Sequence, residues 1–214
     1  MTQIALPLGW PADPRDDAFL VTPSNARATQ TLEQWATWPV MTAILTGPRK
    51  SGRSLLARIF AAKSGGTIID DAERVPETQL FHAWNQAQEE QKPLLIVADA
   101  APPEWKVKLP DLRSRLAASP IATIGPPDDE LMRVLLAHLF ERRNIDARPD
   151  LIDWLASRIE RSHITVTRTV DALDQETMER RKRLSINLAR TTLTEAGLIL
   201  RPQLALDLPL FTSP

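Results

Sequence analysis

Four short apolar runs, at residues 41–46, 67–69, 94–98 and 121–124, alternate with stretches of helical periodicity. Strands separated by helices can close only as a parallel sheet with crossover helices, because each return to the sheet needs a long connection. The connecting helices are expected from Arg53 to about Lys63, from Pro76 to about Glu90 and from Asp111 to Ala118. Another helix is expected before the first run, from Pro23 to about Trp38. Thr22 or Ser24 caps it, and Ala28, Leu32 and Trp35 form its apolar stripe. After Pro126-Pro127 the strands stop. Helices are expected over 128–143, from Pro149 with Leu151, Leu155 and Ile159 in register, over 172–183 and over 186–196. The segment His163-Ile164-Thr165-Val166-Thr167-Arg168-Thr169-Val170 alternates and is β-branched, which predicts a strand. The expected organisation is a tail at 1–17, an α/β part at 18–126, an all-helical lid at 127–198 and a second tail at 199–214.

Composition narrows the function. The 214 residues include no cysteine, which removes a disulfide framework and a thiolate zinc site. His82, His138 and His163 are scattered and form no metal spacing. Lys+Arg is 26 against Asp+Glu 27, a net charge of -1, so little direct DNA binding is expected. Arg180-Arg181-Lys182-Arg183 reads as a solvated helix end. No apolar run reaches the roughly 18 residues of a membrane span, so no membrane partner is expected. Met1-Thr2-Gln3 opens no signal-peptide pattern, and a cytoplasmic location is expected.

With only 7 glycines in the chain, two in one short loop matter. Gly47-Pro48-Arg49-Lys50-Ser51-Gly52-Arg53-Ser54 follows an apolar run and opens a helix. It fits G-x-x-x-x-G-K-[ST] except that Arg53 stands where lysine belongs. Such glycines let backbone N–H groups wrap a phosphate chain, and the helix dipole points at the same anion. Ser54 is a candidate Mg2+ ligand. Arginine keeps the charge but is planar and bulkier than lysine, so binding can survive while γ-phosphate chemistry is harder to place. Asp70 and Asp71 end the second run, where carboxylates suit Mg2+ and a polarised water. Asp99 ends the third and is placed to orient water or sense phosphate. An ordinary strand-to-helix turn and Asp turn residues account for the same letters.

Several segments resemble one family. Phe19-Leu20-Val21-Thr22-Pro23-Ser24-Asn25, the glycine loop, Leu109-Pro110-Asp111-Leu112-Arg113-Ser114-Arg115-Leu116 and Pro126-Pro127-Asp128-Asp129-Glu130 look like the DnaA-like AAA+ ATPases. Over about residues 18–198 the chain most resembles the Hda type, DnaA homologues that lack the DNA-binding domain and inactivate DnaA. The resemblance implies an AAA+ P-loop sheet followed by a helical lid, with ADP or ATP and Mg2+ as cofactors. It implies that Ser24 and Asn25 lie near the adenine. Gly47, Pro48, Arg49, Lys50, Ser51, Gly52, Arg53, Ser54 and Leu55 then form the nucleotide loop, and Ser54 and Asp70 take the metal. Asp70 and Asp71 match Walker B and Asp99 matches sensor 1. Arg115 matches the arginine finger that enters a neighbouring subunit's site. His163–Val170 becomes helical, against the pattern of its residues. Sensor 2 falls on Ile164, with Arg161 and Arg168 out of register.

Both ends of the chain carry a short motif. Gln3-Ile4-Ala5-Leu6-Pro7-Leu8 looks like the peptide by which this family binds the DNA polymerase sliding clamp. Gln203-Leu204-Ala205-Leu206-Asp207-Leu208-Pro209-Leu210-Phe211 reads as a longer version. In such peptides a glutamine amide fills a polar subsite, while residues such as Ile4, Leu6 and Leu8, or Leu204, Leu206, Leu208 and Phe211, enter apolar pockets. The function expected is a clamp-binding regulator of replication initiation that promotes hydrolysis of DnaA-bound ATP, with homo-oligomers allowed. The alternatives are a free-standing P-loop ATPase or nucleotide kinase, and a nucleotide-independent clamp adaptor.

Overall fold

The computed structural model describes residues 19–180 and 183–199. The motifs at 3–8 and 203–211, with Arg181 and Lys182, lie outside the described residues. The elements in chain order are α1 (Pro23–Glu33), β1 (Thr42–Thr46), α2 (Arg53–Ser64), β2 (Thr67–Ile69), α3 (Glu77–Glu90), β3 (Leu94–Val97), α4 (Pro110–Ala118), β4 (Ile121–Thr123), α5 (Asp129–Arg142), α6 (Pro149–Ala156), α7 (His163–Arg180) and α8 (Ile186–Glu195). The chain divides into two compact units. Among the described residues one unit holds 19–135 with Arg161–Ile164, and the other holds Leu136–Glu160 with 165–180 and 183–199.

The first unit contains a four-stranded sheet in the order β2-β3-β1-β4. Every pairing is parallel. β1 sits between β3 and β4, with Leu45 opposite Val97 and Ala122. Alternation along the strands sends side chains to two separate cores. Ala43, Leu45, Leu95 and Val97 join Ala28 and Leu32 of α1 and Leu56, Ala57 and Phe60 of α2. Ile44, Leu94 and Ile96 join Leu80 of α3 and Leu112 and Leu116 of α4. Both faces of β1 are therefore covered, which is why residues 41–46 read as a continuous apolar run.

Two stretches depart from the sequence reading. The first helix ends at Glu33 rather than near Trp38, and a 3₁₀ turn covers Trp35–Thr37. That tighter turn lets the Trp38 ring stack on Phe60, 5.5 Å between centroids, while its Nε1–H donates to the Thr31 carbonyl at 2.8 Å. The alternating segment 163–170 is helix, not strand: it opens α7. Its buried Val166 and Val170, with Leu173, sit at i, i+4 and i+7, one face of a helix. Helix propensity disfavours a β-branched residue by less than about 0.7 kcal/mol. Burying such a side chain contributes about 1.5–3 kcal/mol, so packing decides the conformation.

The second unit buries Leu136 and Phe140 of α5, Leu151 and Leu155 of α6, Val166, Val170 and Leu173 of α7, and Ala189 and Leu193 of α8. Within it Arg143 pairs with Asp171 and, at 3.4 Å, with Asp174, tying the end of α5 to α7. Among the described residues no helix is long and apolar enough to cross a membrane.

Two glycines after α2 set the path into β2 and make a measurable contrast. Gly65 has φ +68 with open space around it, whereas a Cβ on Gly66 would stand 2.3 Å from the Pro93 carbonyl oxygen. Gly65→Ala is expected to cost about 1 kcal/mol of strain. Gly66→Ala is expected to cost about 1–3 kcal/mol through a backbone shift at the β2–β3 start. Urea unfolding of the two variants should rank them in that order.

His163 is buried at the start of α7, and burial lowers its pKa from the ordinary value. Its proton therefore binds the unfolded chain more readily than the folded one. Stability from this group is complete above the unfolded pKa of about 6.5 and declines as pH falls through it. Denaturant midpoints at pH 7 and pH 5 should show a loss at the lower pH that His163→Gln reduces.

Candidate phosphate-binding site

The loop after β1 is shaped by backbone conformations that favour glycine. Gly47 has φ +155 and Gly52 +84, and Gly52 caps the start of α2. A Cβ on Gly47 would meet Ile124 Cβ at 2.9 Å, so this position is closed to larger residues by contact as well as by angle. Among the four non-glycine residues with positive φ that the structure describes, Lys50 (+67) and Asp71 (+48) both lie in the candidate site. Left-handed backbone costs a residue with a Cβ about 1–2 kcal/mol. Such strain clusters at functional loops.

The parallel order brings the ends of β1, β2 and β3 to one edge. There three of the sequence-predicted residues, Arg49, Arg53 and Asp99, meet. Arg53 Nη2 pairs with Asp99 Oδ1 at 2.6 Å and Arg53 Nη1 donates to the Ala98 carbonyl at 2.5 Å. Arg49 Nη2 approaches the other Asp99 oxygen at 3.5 Å. The Arg53 guanidinium, as the hydrogen-bond donor to Asp99, holds that carboxyl below its ordinary range. Glu73, a residue no motif singles out, accepts the backbone N–H of Asp99 and, at 3.3 Å, that of Ala100.

Ser51 is a buried residue of the loop. Its Oγ is buried and has no hydrogen-bond partner. A buried hydroxyl in that state carries a desolvation cost of about 1–3 kcal/mol that a ligand oxygen would relieve. Together with the loop's glycine conformations and the start of α2, it fits a phosphate. Pro48, Arg49, Lys50 and Ser54 are exposed, and Leu55 is half-buried. Asp70 and Asp71 are exposed too: Asp70 Oδ1 accepts the Asp71 N–H at 2.9 Å, and Asp71 pairs with Arg74 at 3.5 Å. Among the described residues no group of three or more His, Asp or Glu stands ready to hold a metal ion. Ser54 and Asp70 would thus need the ligand's own oxygens to complete a Mg2+ shell, as the hydration habits of that ion allow.

The segment before α1 is anchored by its own amides. The Asn25 side chain accepts the Thr22 N–H at 2.9 Å and donates to the Leu20 carbonyl at 2.8 Å. The Ser24 N–H donates to Asp128 Oδ2 at 3.0 Å, and Asp128 also caps α5 through the Leu131 N–H at 2.7 Å. Arg161 pairs with Asp129 at 2.6 Å.

Arg115 lies elsewhere in the unit, on α4. It does not pair with Asp111. Its guanidinium rests 4.7 Å from the Phe81 ring and 4.6 Å from the Trp84 ring, and Nη1 donates to Asn85 Oδ1 at 2.5 Å. All three partners belong to α3, so Arg115 is half-buried on that helix, while Arg113 is exposed.

No family model matches the chain. It is 30% identical over 98 residues, 44% of its length, to the chromosomal replication initiator protein DnaA of Cutibacterium acnes, and spans 20% of that relative. Its fold matches domain III of Thermotoga maritima DnaA at TM-score 0.70 and 16% identity, over 85% of this chain and 95% of that one. It matches AMPPCP-bound DnaA from Aquifex aeolicus at TM-score 0.59 and 15% identity, over 76% of this chain and 67% of that one. The chain therefore has the α/β AAA+ fold of DnaA domain III, with a parallel sheet flanked by helices.

Proposed function

We propose that the chain is a DnaA-related, clamp-tethered regulator of replication initiation of the Hda type. It holds ADP or ATP with Mg2+ on residues 47–54 and presents Arg115 to ATP bound by DnaA, whose own site performs the hydrolysis. The observation that carries the reading is the glycine loop at the sheet edge with the buried, unpartnered Ser51 hydroxyl inside it. The sequence similarity to DnaA and the likeness of fold to an AMPPCP-bound DnaA support the partner and the adenine nucleotide.

Each residue has a stated part. Backbone N–H groups of 47–54 and the start of α2 face the phosphates, and Arg53 supplies the cation. Ser54 and Asp70 take Mg2+, and Asp71 and Asp99 orient water or sense the phosphate. Ser24 and Asn25 shape the adenine side through the backbone, since the Asn25 amide is already engaged. A bound nucleotide would supply phosphate charge to this loop, and its Mg2+ would offset part of that charge. Turnover by the chain alone is slow because Arg53 is planar, bulkier than lysine and paired with Asp99.

Arg115 acts in trans as a charge set against the γ-phosphoryl group. Arginine fingers are worth about 10³–10⁵ in rate, which is about 4–7 kcal/mol. The cation–π contacts that seat Arg115 are worth about 0.5–1 kcal/mol each at a partly exposed position. Leaving the seat is therefore cheap relative to the gain. One observation favours a second reading: with Arg53 already neutralised by Asp99, the chain serves as a nucleotide-independent adaptor between clamp and partner.

Calorimetric titration with ADP separates these readings. Saturable binding with negligible ATP turnover is expected, and no binding leaves only the adaptor. Robust hydrolysis by the isolated chain, abolished by Asp70→Ala, belongs to a free-standing ATPase. In a DnaA ATP-hydrolysis assay Arg115→Ala should remove stimulation while Arg113→Ala keeps it, with ADP binding unchanged and Arg115→Ala losing only about 1–2 kcal/mol of stability, which its two ring contacts supply. Equal loss in both variants removes the finger.

The tail motifs make a separate expectation. Gln3→Ala combined with Leu6→Ala should weaken clamp binding by about tenfold, the usual weight of an anchor residue. Surface plasmon resonance on immobilised clamp reads it. Undiminished binding that falls only with Gln203→Ala and Phe211→Ala moves the contact to the second motif.

A further inference from the structure

Arg53 opens α2 where a phosphate loop carries the lysine that reaches a nucleotide's outer phosphates. Its side chain is only 12% exposed and both terminal nitrogens are engaged, one on Asp99 and the other on the Ala98 carbonyl. Asp99 is held to the pair from two directions. Arg49 approaches its second oxygen, and Glu73, from the segment after β2, grips the backbone N–H groups of Asp99 and Ala100. The loop thus presents two unlike demands. Its buried Ser51 hydroxyl lacks a partner, and its cation already has one.

We propose that Asp99 is an internal stand-in for phosphate: its carboxylate occupies Arg53 in the nucleotide-free chain, and a nucleotide binds by replacing that carboxylate with a phosphate oxygen. The inference rests on the nucleotide-binding reading above and adds how the site is regulated. Arginine is suited to the exchange and lysine is not. A guanidinium offers a planar fork that fits carboxylate and phosphate alike, whereas an ammonium is a single point charge. The pair lowers apparent affinity, because ligand binding must draw on a state in which Arg53 has left Asp99. Asp99 keeps Arg49 and the Glu73-held backbone after the exchange, so Arg49 still offsets the carboxylate that Arg53 leaves.

The test is calorimetric titration of ADP into the full chain as wild type, Asp99→Asn, Arg53→Gln and the double variant. Asp99→Asn is expected to bind about fivefold tighter, the effect of removing one competing half-exposed ion pair. In the Arg53→Gln background the same substitution should change affinity less than about twofold, since no pair is left to break. Equal tightening in both backgrounds means simple charge repulsion and overturns the exchange. Asp99→Asn binding no better than wild type, with wild type binding well, overturns the inference and leaves the nucleotide reading intact. No binding by any variant overturns both. A second measurement covers the case in which Arg53→Gln binds too weakly to titrate. In NMR spectra of the wild type the Arg53 Nε–H signal should move on adding ADP, and in Asp99→Asn it should already be displaced without ADP. A signal unmoved by ADP overturns the exchange.

Discussion

The parallel pairing of β1 with β3 sets the chemistry of this chain. It aligns Leu45 with Val97, and the Ala98 N–H continues the ladder by donating to the Leu45 carbonyl at 3.0 Å. Two chain exits therefore stand side by side at the same edge. One is the glycine loop after β1 and the other is the Ala98-Asp99 turn after β3. Because β2 lies on the far side of β3, the Asp70-Asp71 turn and Glu73 arrive at the same edge. Open α/β sheets bind ligands outside the carboxyl ends of their strands for this reason: chain reversals gather there and helices begin there. The register, which the two cores enforce by burying alternate residues of β1 and β3, is what makes Arg53 and Asp99 neighbours across 46 positions of sequence.

The two arginines that the proposed function uses are both held in this structure, and that function requires each to exchange its partner. Arg53 is on the Asp99 carboxylate. Arg115 is on two aromatic faces and an amide oxygen of α3, whose combined strength is small beside the charge stabilisation a finger supplies. A long cationic side chain left free in solvent loses more rotamer entropy on engagement than one already confined. Seating each arginine reduces that loss at the cost of a modest competing contact.

Much of this was legible in the sequence, and the parts that were not share a cause. β1 and β3 announced themselves because strands covered on both faces read as unbroken apolar runs, while the edge strands β2 and β4, only partly buried, were marked by shorter apolar runs. The glycine loop announced itself because few other glycines compete for attention. Residues 163–170 misled because their β-branched character speaks of local preference. The burial of Val166, Val170 and Leu173 along one helical face, which overrides that preference, is a tertiary fact. The same holds for the site. Asp99 was marked by its place after an apolar run, but its pairing with Arg53 needs the strand order. Glu73 gave no signal at all, since its carboxylate acts on backbone groups 26 and 27 positions away. For Arg115, packing of α3 against α4 supplies Phe81, Trp84 and Asn85, partners some 30 positions away that spacing along its own helix does not reveal.

The most direct test of the account is a crystal structure of the chain grown with ADP. The account expects the diphosphate on the loop of residues 47–54, the Ser51 hydroxyl bonded to it, and the Arg53 guanidinium turned from Asp99 to a phosphate oxygen. A nucleotide seated elsewhere, or one on the loop with the Arg53–Asp99 pair unbroken, would contradict it.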